Sequence, residues 1–234
     1  MLWAQRAAEF EAIGLQVYLS GLRLLDTAMS DPAWTAISSK GTSPAVVVDV
    51  DETIADTTAA QTELVRTGAP YDQETFDRIS NNVSRPIPGA KEFLAEAARR
   101  GAAVFYVSNR RAASEAGLRT FLSRHGFPLS ENEDRVLLRG ENNWTSRDKS
   151  GRREFVASKY RLIMLFGDDL NDFVAAEGKT PEERLALVAQ NRDKWGRSWF
   201  MLPNPHYGSW ERALGVSDDV APCDRIRRKI ELLK

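Results

Sequence analysis

Apolar residues follow two rhythms along this chain. From Trp3 to about Met29 they recur at helical spacing, at Phe10, Ile13, Leu15, Val17, Leu19, Leu22 and Leu25, which predicts one long helix or two short ones. Asp31-Pro32 ends that pattern, because the residue before a proline avoids the helical region. After a loop of small residues, Ser38–Pro44, comes Ala45-Val46-Val47-Val48-Asp49-Val50. This run is short, nearly continuous and β-branched, the pattern of a central strand covered on both faces. It ends in Asp49, Asp51, Glu52 and Thr53.

Further strands are predicted at Ala103–Val107, Arg135–Leu138, Leu162–Phe166 and Trp199–Leu202. Helical stretches separate them: Thr57–Arg66, Gln73–Asn81, Lys91–Arg100, Ala113–Arg124, Gly151–Lys159 and Thr180–Lys194. Gly101 and Gly126 supply helix stops. Pro203–Trp210 reads as a rigid turn, and the tail beyond it is helical and charged. Strands alternating with helices predict an α/β fold, a doubly wound parallel sheet. Residues 1–40 form an N-terminal helical segment that, with part of the tail, is expected to build a small α lobe beside the sheet. Residues 41–234 form the core with its helical tail.

Composition narrows the class. The chain has 234 residues, with 32 basic and 33 acidic side chains and a net charge of −1. That balance gives no general field for nucleic acid or an anionic membrane. Cys223 is the single cysteine, so no internal disulfide forms. No apolar run is long enough to span a bilayer. The first residues, Met1–Arg6, lack the pattern of a signal peptide, which leaves a cytoplasmic protein and the mature part of an exported one equally open.

Three of the strands end in a polar cluster, at the edge where open α/β sheets place their ligands. The candidates are Asp49 and Asp51, Ser108 and Asn109, Lys149 in a polar loop, and Asp168 with Asp172. Each has a plain alternative. Asp-x-Asp occurs by chance, Ser108 could simply cap the following helix, and Asp172 could favour a helix start. Taken without motif order, Lys149 reads more readily as one more solvated lysine in a polar loop, with Lys159 as its rival. Taken together they favour a hard cation such as Mg2+, which takes oxygen ligands and shares its site with phosphate. Two histidines and one cysteine give no zinc set, and no Walker-type phosphate loop is present. The chemistry that remains is phosphoryl transfer to an aspartate nucleophile.

The same residues resemble the phosphatases of the haloacid dehalogenase superfamily, and within it the class C (lipoprotein e-like) acid phosphatases. Asp49-Val50-Asp51-Glu52-Thr53, Val107-Ser108-Asn109-Arg110, Lys149 and Gly167-Asp168-Asp169-Leu170-Asn171-Asp172 match the four superfamily motifs in order. Trp3-Ala4-Gln5, Ile87-Pro88-Gly89-Ala90, Gly126-Phe127-Pro128 and Pro203-Asn204-Pro205-x-Tyr207-Gly208-Ser209-Trp210 extend the likeness over nearly the whole chain. The resemblance implies Asp49 as nucleophile, Asp51 as general acid and base, and Ser108 and Lys149 on the phosphate. It implies magnesium on Asp49, the Asp51 carbonyl and Asp168, with Asp172 ordering the metal's water. Tyr71 and Tyr207 would sandwich the ring of a nucleotide substrate. Two positions depart from the pattern: Asp169 stands for a usual Asn and Phe76 for a frequent Trp, which puts phosphate affinity and one pocket wall in question.

The resemblance therefore implies a magnesium-dependent acid phosphatase and 5′-nucleotidase acting on small-molecule phosphomonoesters. No large cap is inserted between the motifs, so the site is expected to be open. It also implies an exported protein, periplasmic or lipid-anchored at the outer membrane, and is compatible with a homodimer. The alternatives are a non-catalytic storage or ligand-binding relative and an intracellular metabolite phosphatase of the same superfamily.

Overall fold

The computed structural model describes residues 1–67, 72–216 and 222–233. Helices α1 (Leu2–Arg6) and α2 (Ala8–Ser30) precede strand β1 (Pro44–Val48). Next come β2 (Ala55–Asp56), α3 (Thr58–Thr67), α4 (Gln73–Val83), β3 (Arg85–Pro86) and α5 (Ala90–Arg99). Then follow β4 (Ala103–Arg111), α6 (Glu115–His125), β5 (Val136–Arg139), α7 (Ser150–Lys159) and β6 (Arg161–Gly167). The chain closes with α8 (Pro181–Gln190), β7 (Trp199–Met201), α9 (Ser209–Ala213) and α10 (Pro222–Leu232).

Five strands form one parallel sheet in the order β5-β4-β1-β6-β7, while β2 and β3 pair as a separate antiparallel ribbon. The two-residue period of β1 sends Val46 and Val48 to one face and Ala45 and Val47 to the other. Helices α2, α5 and α6 cover the first face with Tyr18, Leu25, Phe93, Leu94, Phe121 and Leu122. Val156 of α7 packs on the second face, together with Phe173 and Trp199. Val48 is level with Tyr106 on β4 and Phe166 on β6. The segments that begin at Asp49, Val107 and Gly167 therefore meet at one carboxyl edge.

The N-terminal segment, read from sequence as part of a small lobe, shares the core of the sheet through α2. Its approach depends on a glycine, since a Cβ on Gly21 would lie 2.7 Å from Phe166 Cζ. One turn earlier, Tyr18 stacks on Phe166 with ring centroids 5.1 Å apart. Its hydroxyl donates to the Thr53 carbonyl at 2.6 Å. Helix α2 thus supports the turn that follows β1. The tail helix α10 joins α9 through ion pairs from Arg225 and Lys229 to Glu211.

Candidate active site

The β1 chain ends in a tight turn. Asp49 N donates to Phe166 O at 3.0 Å, and Ile54 N and Ala55 N both reach Val50 O at 2.9 Å. Glu52 takes a left-handed conformation, with φ of 55°. This winding lets Asp49 and Asp51 enter one pocket while Glu52 turns into the protein, where it is buried. The Glu52 carboxylate accepts from Thr57 N and Oγ1 and from the Tyr207 hydroxyl. Burial, and then the Asp51 charge, push its pKa up to about 8.

Lys149, in the residue before α7, joins the first cluster to the last. Its ammonium donates to Asp49 Oδ1 and, at 2.5 Å, to Asp172 Oδ1. Burial opposes that charge, but Asp172 and Asp49 more than offset it and hold the lysine above its ordinary range. The rival Lys159 instead lies over the Phe155 ring, 4.2 Å from its centre.

Asp172 folds back under the strand end, and its Oδ2 accepts from Asp168 N at 3.1 Å and Asp169 N at 2.9 Å. Only glycine fits at 167, because a Cβ there would overlap the Asp172 carboxylate. Burial pushes Asp172 up to about 6, the nearby Lys149 charge notwithstanding. Burial and the charges of Asp49, Asp172 and Glu52 hold Asp168 well above the carboxylate range. Thr53 Oγ1 lies 3.1 Å from Asp168 Oδ1 and 3.4 Å from Asp49 Oδ2, so its one proton serves either acid.

Asp49, Asp168 and Asp172 each bring a carboxylate oxygen within 4.8 Å of the others. Three buried or half-buried acids with oxygen donors only, two of them pushed toward protonation, form a set that a hard divalent cation would satisfy.

Asp51 and the second cluster occupy the neighbouring wall. Both Asp51 oxygens are gripped by Arg110, through Nε at 3.2 and 3.1 Å and Nη2 at 2.6 Å. Arg110 also donates to Asn81 on α4. Ser108 is fully buried, and its hydroxyl accepts from Arg110 N at 3.2 Å. Asn109, rather than Ser108, lines the pocket. Asn109 donates to Arg147 O at 3.0 Å and accepts from Arg152 Nη2 at 2.7 Å. The two arginines that follow Lys149 are therefore structural, since Arg153 likewise donates to Asn171 O.

The pocket has a volume of about 690 Å³ and is lined by Asp49, Asp51, Lys149, Asp168, Asp172 and Tyr207, with Phe76 in its wall. Tyr71 lies outside the described residues. Asp169, the departure from the family pattern, is taken up elsewhere. It accepts from Asn171 N at 2.9 Å and from Ser209 N at 2.6 Å, and also from the Ser209 hydroxyl. Sequence reasoning missed Arg110, Glu52, Thr53 and Asn204 as parts of this arrangement. A signal existed for Arg110, an arginine immediately after the Ser-Asn pair at a strand end.

A family model described as HAD superfamily, subfamily IIIB (acid phosphatase) matches residues 3–210. The structure of a class C acid phosphatase from Bacillus anthracis superposes with a TM-score of 0.87 at 30% identity, covering 100% of this chain and 94% of that one. A second structure of the Bacillus anthracis class C acid phosphatase, with tungstate bound, gives 0.86 at 29% identity with coverage of 100% and 94%.

Proposed function

The chain belongs to the acid phosphatases of the haloacid dehalogenase superfamily, subfamily IIIB, and from that membership we propose a magnesium-dependent phosphomonoesterase acting on 5′-nucleotides through an aspartyl-phosphate. The observation that carries this reading is the convergence of Asp49, Asp168 and Asp172 around Lys149, with Asp51 in the same pocket. The tungstate of one relative, a tetrahedral oxyanion shaped like phosphate, supports it. A non-catalytic relative is not favoured, because the carboxylate that would act as nucleophile is present and held in place.

In the proposed reaction an Asp49 oxygen attacks phosphorus and the bond to the leaving alcohol breaks. Asp51 gives its proton to that departing oxygen and is left as a carboxylate. Asp51 then takes a proton from water as the water attacks phosphorus. Inorganic phosphate leaves and Asp49 is regenerated. Lys149 orients Asp49 and carries positive charge to the phosphate oxygens, and Arg110 keeps Asp51 aimed into the pocket. A divalent cation on Asp49, Asp168 and Asp172 would supply charge that offsets the repulsion between nucleophile and phosphate.

A panel of phosphate esters assayed with and without magnesium tests the reading. Chelation should silence hydrolysis and added magnesium should restore it, with nucleoside 5′-monophosphates among the preferred esters. Activity unaffected by a chelator would sink the metal role. Activity confined to esters that carry no ring would sink the nucleotide assignment.

Tyr207 supplies a finer test of the same reading. Stacking on an aromatic ring is worth roughly 1–3 kcal/mol per base. Tyr207→Ala should therefore raise KM for nucleoside monophosphates by about ten-fold and leave a small aliphatic ester almost unchanged. Equal losses for both substrates would remove Tyr207 from the ring-binding wall. Among the described residues no helix is long and apolar enough to cross a membrane. We further propose, as the family resemblance implies, a location outside the cytoplasm, in the periplasm or anchored at the outer membrane, which cell fractionation would test.

A further inference from the structure

Asn204 stands in the turn between β7 and α9, and both ends of its side chain are engaged. Nδ2 donates to Asp168 Oδ2 at 2.7 Å. Oδ1 accepts the backbone N–H of His206 at 3.0 Å and that of Tyr207 at 3.4 Å. The orientation of the amide is fixed by its partners: a carboxylate needs the NH2 end and backbone N–H groups need the oxygen. One bond reaches the acid cluster, and the other forms an Asx-type turn that sets the backbone direction at Tyr207.

The turn is otherwise pinned around this residue. Pro203 and Pro205 restrict φ on either side, the Tyr207 hydroxyl donates to Glu52, and Ser209 is held by Asp169. Asp168 in turn has Thr53 near one oxygen and Asn204 on the other. Asn204 is therefore a single side chain placed between a cation-binding carboxylate and a ring of the pocket wall.

We propose that Asn204 is a positioning residue that couples the cation site to the substrate's ring-binding wall. It holds Asp168 in the orientation that receives the cation, and with the same amide it presents Tyr207 to the pocket. The inference rests on the metal-dependent, ring-binding reading of the site and adds a link between its two halves. Loss of such an outer partner typically weakens metal binding by about 10–100-fold.

The test uses the full chain freed of metal. Magnesium chloride is titrated calorimetrically into the wild type, Asn204→Ala and Asn204→Ser, with thermal melting as the check on folding. Both variants should bind magnesium about 10–100-fold more weakly. At saturating magnesium, Asn204→Ala should also raise KM for a nucleoside monophosphate several-fold more than for glycerol phosphate. Asn204→Ser should stay near the wild type in that comparison, because a serine hydroxyl can still accept the N–H two residues on. Unchanged magnesium affinity in folded variants would overturn the coupling, as would equal KM losses for the two esters in Asn204→Ala. If Asn204→Ala does not fold, the serine variant decides the metal arm alone. A wild type that hydrolyses esters yet takes up no magnesium would overturn the metal reading itself, an outcome distinct from a failure of Asn204.

Discussion

Asp49→Asn protein should fold like the wild type and release phosphate slower by roughly three orders of magnitude or more, the scale of losing a covalent nucleophile. The amide has the shape of the carboxylate but cannot attack phosphorus. Folding should survive because the substitution removes one of three acids that crowd each other. Lys149 keeps its bond to Asp172 at 2.5 Å, and Asp168 loses the like charge that repels it most. The decisive pair of measurements is phosphate release at saturating magnesium and a melting curve. A folded variant that keeps more than a few per cent of wild-type turnover would show that the nucleophile lies elsewhere.

How far the sequence disclosed this arrangement depended on whether the signal was local. The runs at 45–48, 103–107 and 162–166 are strands because a β-branched or apolar continuum has no other comfortable place than a sheet covered on both faces. The strand from Ala103 nevertheless runs on to Arg111, past the apolar residues. Ser108 still pairs with Leu138, and Arg111 resumes pairing with Arg139 after a register shift. A partner strand, not periodicity, extended it. The helix expected over Thr180–Lys194 stops at Gln190, and none of α8 is buried, so no core rewarded further turns. The helical spacing of α2 was legible, but its docking turns on Gly21 against Phe166 of the sheet and on Gly14 against Ile87 and Pro88, which pattern alone does not interpret.

The site divides in the same way. Asp49, Asp51, Asp168 and Asp172 could be singled out because acids at the ends of hydrophobic strands are conspicuous. Lys149 needed motif order, since a lysine in a polar loop carries no local mark. Arg110 carried a local mark, its place after the Ser-Asn pair, but its partner Asp51 lies 59 residues back along the chain; Asn204, which reaches Asp168 36 residues back, was legible only in three dimensions.

Lys149→Met would separate what the lysine does for the fold from what it does for the reaction. Its side chain is 6% exposed, against 8% for Asp49 and 3% for Asp172, so solvent screens little of the interaction. Removing one partner of a buried ion pair typically costs about 3–5 kcal/mol, because the remaining charge is left uncompensated. Here two carboxylates lose their partner beside a third, so the metal-free variant should melt well below the wild type. On the proposed reading magnesium binds the folded state, which would then gain RT ln(1 + [L]/Kd). With no ammonium competing for Asp49 and Asp172, the variant should bind the ion more tightly than the wild type. Magnesium should therefore recover much of the lost stability. Turnover should not recover with it: losing a preorganised donor to the transferring group costs about 100–1,000-fold in rate. Melting with and without magnesium, beside an assay at saturating ion, reads all three effects. A variant as stable as the wild type without magnesium would mean the acids do not need the lysine. A variant that keeps its rate would mean the phosphate does not.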